Sequence, residues 1–421
     1  MTNAVIFTQN SKDLYQVHSN NLTNNKINNL INLINFTNNY NKNYNKQNIS
    51  LKLINKFENA LNSSTDIIFF LTIYKLNQLG INNAYSLLKQ IDIRITDNNE
   101  KQKFYKELNE LLDILLSKDL DKKLHPEVIK AINESTNGIK IKDSKLIKEK
   151  EFQTLRDFSR KLILDLLLAL SNPNSISQEQ KGTCSQTVIE RAIAERMPSE
   201  YVKIIKDLIT KGEYITKSGK VIKLNSGGIK KGLFEKDDRY LTTRIIAPSF
   251  MEFSNGEEYD YDDDTDYNIS KDNKKKYKGS STEVTAKEIF NTDYQIIQIK
   301  HLSIQQKVDT IQILLKLLMF KKYPIFLYTY YGAKPNEGGH AVELKEITNN
   351  FITVSNPWGQ IETYTTDGKK INNPKYKDEY SPINNFEDFI NRTTHILLPP
   401  FIPTNILKQL NLILPNKRII I

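Results

Sequence analysis

The chain of 421 residues holds one cysteine, Cys184, and one tryptophan, Trp358. A lone cysteine excludes any disulfide within the chain, so packing must hold the fold and the thiol must stay reduced to act. It also excludes a cysteine-based zinc cluster. His18, His125, His301 and His395 stand at no ligand-like spacing, and no metal or cofactor is expected. Long apolar runs are lacking too: residues 162–170 are interrupted by Asp165 and fall short of the ~20 residues that span a bilayer. Residues 1–10 show no basic flank leading into an apolar core, so no secretory signal is expected. These absences point to a reducing intracellular setting without stable membrane insertion.

What is present is ordinary for a folded protein: 39% hydrophobic and 26% charged residues. At about 150 residues per domain, the length predicts two or three domains. The net charge of +10 does not form a binding stripe, because the lysines are scattered among asparagines and isoleucines along the whole chain. No nucleic-acid partner is expected.

Residues 1–50 are Asn- and Lys-rich, most of all at 38–46, and read as a tail or linker. Residues 51–171 carry helical periodicity. Leu51, Ile54, Phe57 and Leu61 recur at three and four, as do Phe104, Leu108, Leu111 and Leu115, and again Phe158, Leu162, Leu166 and Leu170. An all-α module is predicted there, without a fixed repeat. The turn-forming cluster Ser171-Asn172-Pro173-Asn174-Ser175 marks its end. Beyond it, helices are expected near Val188–Arg196, Tyr201–Lys211 and Ile304–Phe320, and a hairpin through 214–222. Strands follow at 324–331, 340–347, 351–356, 361–364 and 394–398. Helices first and a mostly antiparallel sheet later argue for an α+β domain over 172–400, with 401–421 as a C-terminal extension. The run Glu257–Asp266 reads as a solvated acidic loop; it lacks the glycine and terminal glutamate of a calcium-binding loop.

The chemistry concentrates in three short segments. Cys184 opens a helix-forming stretch, with Gly182 two residues and Gln178 six residues before it. Gly338-Gly339-His340-Ala341-Val342 lies far downstream, and Asn356-Pro357-Trp358-Gly359 begins sixteen residues after the histidine. A thiol with an ordinary pKa near about 8.5 is mostly protonated at neutral pH, and a helix N-terminus or a cationic neighbour corrects this. Cys184 is the candidate nucleophile, His340 the base and acid, and Asn356 the residue that orients the imidazole under the cover of Trp358. Gln178 and the Cys184 main-chain N–H are candidate donors to the oxygen that gains charge when a carbonyl is attacked, a role worth about 10²–10³-fold in rate. Gly182 permits close approach of the chain. Gln180 is the alternative to Gln178.

These segments resemble papain-fold cysteine proteases, with Asn-Pro-Trp-Gly most similar to the calpain-like branch. The likeness covers about 175–400, including the closing stretch around 385–398, and none of residues 1–150. It implies a papain-like catalytic domain preceded by the helical module. The implied activity is hydrolysis of peptide bonds through a Cys184–His340–Asn356 triad and a thioester, with Gln178 as oxyanion donor and Gly182, Gly339 and Trp358 in support. A protein substrate is expected, and a bacterial effector protease acting on host-cell protein is one setting that fits. Ser185 departs from the family, which very often has tryptophan there. The same triad also serves deamidation, transglutamination and isopeptide cleavage, and an inert papain-like binding module is a further alternative.

Overall fold

A computed structural model describes residues 65–136, 144–179, 181–232, 239–256, 259–260, 265–269, 275–277, 281–318, 323–331, 339–368, 370–372 and 383–399. The expected tail at 1–50, the periodic stretch Leu51–Leu61, Gln180, Gly338 and the extension 401–421 lie outside these residues. The architecture is mixed helix and antiparallel sheet, as the order of patterns predicts.

Helices come first: α1 (Thr65–Gln78), α2 (Ala84–Arg94), α3 (Asn98–Leu115), α4 (Leu120–Lys123), α5 (Pro126–Thr136) and α6 (Ser144–Ser171). Helix α3 starts where the Asp97 carboxylate accepts from the Asn99 and Glu100 main-chain N–H groups at 2.8 and 3.0 Å, satisfying donors the first turn leaves open. Its apolar stripe, Phe104, Leu108, Leu111 and Leu115, is buried, as is the stripe Phe158, Leu162, Leu166 and Leu170 of α6. Full burial of each such side chain contributes roughly 1.5–3 kcal/mol.

Helices α7 (Cys184–Arg196) and α8 (Pro198–Lys211) follow the turn at 171–175. Pro198 presets the first turn of α8, and Gly212, at φ 74°, ends it in the left-handed region. Helix α8 lies on α3, and Lys206 pairs with Glu107 and Glu110 across that contact. One hydrophobic core runs without a break from Phe69 in α1 through α3, α6, α7 and α8. The expected hairpin is β1 (Glu213–Ile215) with β2 (Val221–Lys223). Helices α9 (Gly227–Gly232) and α10 (Leu241–Asn255) then pack together so closely that a Cβ on Gly228 would lie 2.0 Å from the Arg244 carbonyl oxygen.

The acidic segment departs from the expectation. Tyr259–Asp260 (β3) and Thr265–Ile269 (β4) pair antiparallel, and β4 pairs with Lys275–Tyr277 (β5). Residues read as a solvated loop therefore contribute strands, with Tyr259 buried against Met251. The aspartates dominate the composition there and mask the strand preference of the interleaved tyrosines.

After α11 (Thr282–Phe290), β6 (Gln295–Gln298) and α12 (Ile304–Leu318) come β7 (Phe326–Tyr330), β8 (Gly339–Ile347), β9 (Phe351–Asn356), β10 (Gln360–Thr365), β11 (Lys370–Asn372), α13 (Phe386–Arg392) and β12 (Thr393–Leu398). They build a seven-stranded sheet in the order β11-β10-β9-β8-β7-β12-β6. Both faces are covered. Ala341, Phe326 and Leu397 join the helical core, whereas Val342, Leu344, Leu327 and Ile396 join a second core with Val308 and Ile311 of α12 and Phe389 of α13. This alternation follows from the two-residue period of a strand. Among the described residues no helix is long and apolar enough to cross a membrane.

Candidate functional site

Cys184 is the first residue of α7, at the end where unpaired N–H groups and the helix dipole favour a negative charge. His340 is the second residue of β8, so the sulfur comes from the helical part and the imidazole from the sheet, as expected. The two side chains are electrostatically linked, the imidazole lowering the thiol and the thiol raising the imidazole.

The third residue is set by a turn. Asn356 ends β9 and faces Gln360 at the start of β10, and the three intervening residues turn with Gly359 at φ 84°, a conformation that favours glycine. Within the turn, Asn356 Oδ1 accepts from the Trp358 main-chain N–H at 3.1 Å. That donor fixes which end of the amide is oxygen, so His340 Nε2, 2.9 Å from the same Oδ1, must carry a hydrogen. Nδ1 is left for the sulfur. Aromatic rings close over the imidazole: Trp358 stacks on it at 4.5 Å between centroids and 28°, and Tyr331 packs at 4.7 Å. His340 is buried, and the thiol keeps partial access to solvent.

Electrostatics push the pair toward thiolate and imidazolium. Burial raises the Cys184 thiol, but the His340 hydrogen bond and charge, with main-chain N–H groups of Ala341 and Ser185, bring it below the ordinary thiol value. Burial lowers His340, but the hydrogen bond to Cys184 and its charge, with Asn356, raise it above the ordinary imidazole value. A ring stacked on the face of Trp358 also holds a cation better than a neutral cavity would.

Gln178 reaches this site through the main chain. Its N–H donates to the Pro357 carbonyl at 2.7 Å, and the preceding Ser177 bridges antiparallel to Trp358, so its strand runs along the Asn356 turn. Its side-chain Nε2 donates to the Lys181 carbonyl at 2.7 Å, which uses one of two amide hydrogens and leaves one to give. Gly182 lies in the bend between Gln178 and the helix, and Gly339 is the first residue of β8 beside His340.

Sequence reasoning missed two neighbours. Tyr331 follows the last residue of β7 and becomes a site residue only through the pairing of Thr329 with His340. Arg191 lies seven residues after Cys184 on α7 and is fully buried. Its guanidinium donates to the Asn356 carbonyl, to Asn174 Oδ1 at 2.9 Å and to the Gln360 carbonyl at 3.3 Å. A charged residue in the apolar run Val188–Ala194 was the available signal. The far end of the same helix is tied to the histidine strand, where Arg196 pairs with Glu343 and Lys345 bridges Glu343 and Glu195.

No family model matches the chain, and neither a curated protein nor a solved structure matches it.

Proposed function

We infer that the chain is a cysteine endopeptidase with a papain-like catalytic domain, Cys184 its nucleophile, His340 its base and acid, Asn356 its orienting amide and Gln178 an oxyanion donor. The observation that carries this reading is the linked set of contacts from the Cys184 thiol through His340 to Asn356 Oδ1, the last at 2.9 Å, with the amide orientation fixed by Trp358 N–H.

The chemistry follows from that order. The thiolate attacks the carbonyl carbon of the scissile bond, and the negative charge passes to its oxygen, which the Cys184 main-chain N–H and a Gln178 amide hydrogen stabilise. As the carbon–nitrogen bond breaks, His340 gives its Nδ1 proton to the departing amine, leaving a thioester on the sulfur. Water then enters. His340 Nδ1 takes one of its protons, the hydroxide oxygen adds to the thioester carbon, and collapse releases a carboxylic acid and restores the ion pair. A single thiol that must remain reduced fits action in a reducing compartment, host cytosol included.

Incubating wild type and Cys184→Ala with a cell lysate and sequencing the N-termini that appear tests the reading. New termini only with wild type support peptidase action. Deamidated or cross-linked glutamines without new termini would assign the triad to acyl transfer from a side-chain amide, and a thiol inert to an epoxysuccinyl probe would assign the fold to binding alone.

A further inference from the structure

Behind the imidazole, on the same face of the sheet, lies a carboxyl group that the three-residue chemistry does not use. Glu362 is the third residue of β10, opposite Val354, and is fully buried. Its Oε2 accepts from the Tyr364 hydroxyl at 2.6 Å and the Tyr331 hydroxyl at 3.1 Å, and its Oε1 accepts from Gln360 Nε2 at 2.6 Å. Both oxygens accept, the pattern of a carboxylate. Tyr331 is the bridge: its hydroxyl binds Glu362 while its ring packs 4.7 Å from that of His340.

A buried carboxylate is costly unless cationic or donor groups compensate it, and its field in a dry interior reaches further than in water. The groups facing His340 are Cys184 from α7, Asn356 and Trp358 from the turn, and Tyr331 from the end of β7. Around Glu362 stand Tyr331, Tyr364 and Gln360, and the Arg191 guanidinium of α7 is coupled to its charge. Helix α13 presents Phe389, stacked on Tyr364 at 4.9 Å. The α12 ammonium of Lys307 is held by the Ile390, Asn391 and Thr393 carbonyls, and Arg392 pairs with Asp388.

We propose that Glu362 is a fourth, positioning member of the site, a fixed negative charge held through Tyr331 that keeps His340 protonated beside the thiolate. This rests on the ion-pair reading of Cys184 and His340. Consistent with it, Glu362 contributes to the upward displacement of His340. The role requires a carboxylate at position 362 rather than a group of equal size.

The test follows the rate of Cys184 alkylation by iodoacetamide against pH in wild type, Glu362→Gln and Glu362→Asp. Wild type is expected to react at low pH as the ion pair and to rise again where the imidazolium loses its proton. In Glu362→Gln that second rise moves to lower pH, and in Glu362→Asp, which keeps the charge, it stays near wild type. A Glu362→Gln protein that melts earlier but keeps the second rise in place overturns the proposal and leaves the ion pair standing. A wild type with one rise in the ordinary thiol range removes the ion pair itself. If Glu362→Gln does not fold, the single variant Tyr331→Phe substitutes for it, because it removes the hydroxyl that holds the charge of Glu362 behind the ring. The same downward move is then expected, and an unmoved rise overturns the proposal.

Discussion

Arg191 donates its Nη1 to the main-chain carbonyl of Asn356, a bond between residues 165 apart in sequence. Cys184 and Arg191 share one helix, so this contact ties the helix bearing the sulfur to the turn that orients the imidazole. Burial lowers the guanidinium to about 10, still charged at neutral pH. Replacement by leucine leaves carbonyls buried without donors, each costing about 1–3 kcal/mol. We expect Arg191→Leu to lose about 2–5 kcal/mol in urea unfolding, with Arg191→Lys intermediate because an ammonium lacks the fork that reaches several acceptors. Trp358, the only tryptophan, reports the unfolding by its fluorescence and sits in the turn being loosened. A Leu variant as stable as wild type would remove this tie from the account.

Asn356 meets the imidazole through one oxygen. Its Oδ1 accepts from both Trp358 N–H and His340 Nε2, at 3.1 and 2.9 Å. Asn356→Ala frees the ring to rotate, and we expect kcat to fall by about 10²-fold with KM little changed, the size of effect a small misplacement produces. Asn356→Asp keeps the acceptor and is expected to retain more activity. Equal losses in both variants would show that the amide does more than orient.

The two displaced titrations define a pH window. Cys184 lies below its ordinary value, so its thiolate form is lost only as pH falls through that lowered value; His340 lies above its ordinary value, so its cation is lost only as pH rises through that raised value. The profile of kcat/KM should therefore be a bell with its acid limb below the ordinary thiol range and its alkaline limb above the ordinary imidazole range. An acid limb in the ordinary thiol range would contradict this.

Glu190, next to Arg191, lies in the helical core and accepts from the Tyr201 hydroxyl at 2.8 Å and the Thr243 hydroxyl at 3.0 Å. Burial pushes it up to about 8 from an ordinary 4.5. The unfolded chain thus gives up this proton at lower pH than the folded one. The resulting stability is full below about 4.5 and is lost as pH rises toward about 8. Glu190→Gln should gain stability over wild type progressively across that window, measured as melting temperature at fixed ionic strength. A difference that does not change with pH would show that Glu190 is charged when buried.

How legible the site was depended on where its information lies. Cys184, His340, Asn356 and Trp358 stood out because the proposed chemistry needs scarce residue types in a set order, and the Gly359 turn is written locally. Helices α3 and α6 were equally readable, since Phe104 to Leu115 and Phe158 to Leu170 repeat at the helical period. Tyr331 and Glu362 were not readable, and Arg191 showed only as a charge in an apolar run, because their partners are a ring, hydroxyls and a main-chain carbonyl supplied by distant strands. Register decides those contacts, and one sequence does not state register between β7, β8, β9 and β10. The strands at 259–277 were lost for another reason: their charge pattern is that of a loop.

The claim at the centre is that His340 is a cation because Cys184 is an anion. With five histidines in the chain, ¹⁵N resonances of the His340 ring can be assigned by substitution and followed near pH 7. The account predicts both ring nitrogens protonated in wild type and a neutral ring, protonated at Nε2 alone, in Cys184→Ser. A neutral His340 ring in wild type, unchanged by that substitution, would contradict it.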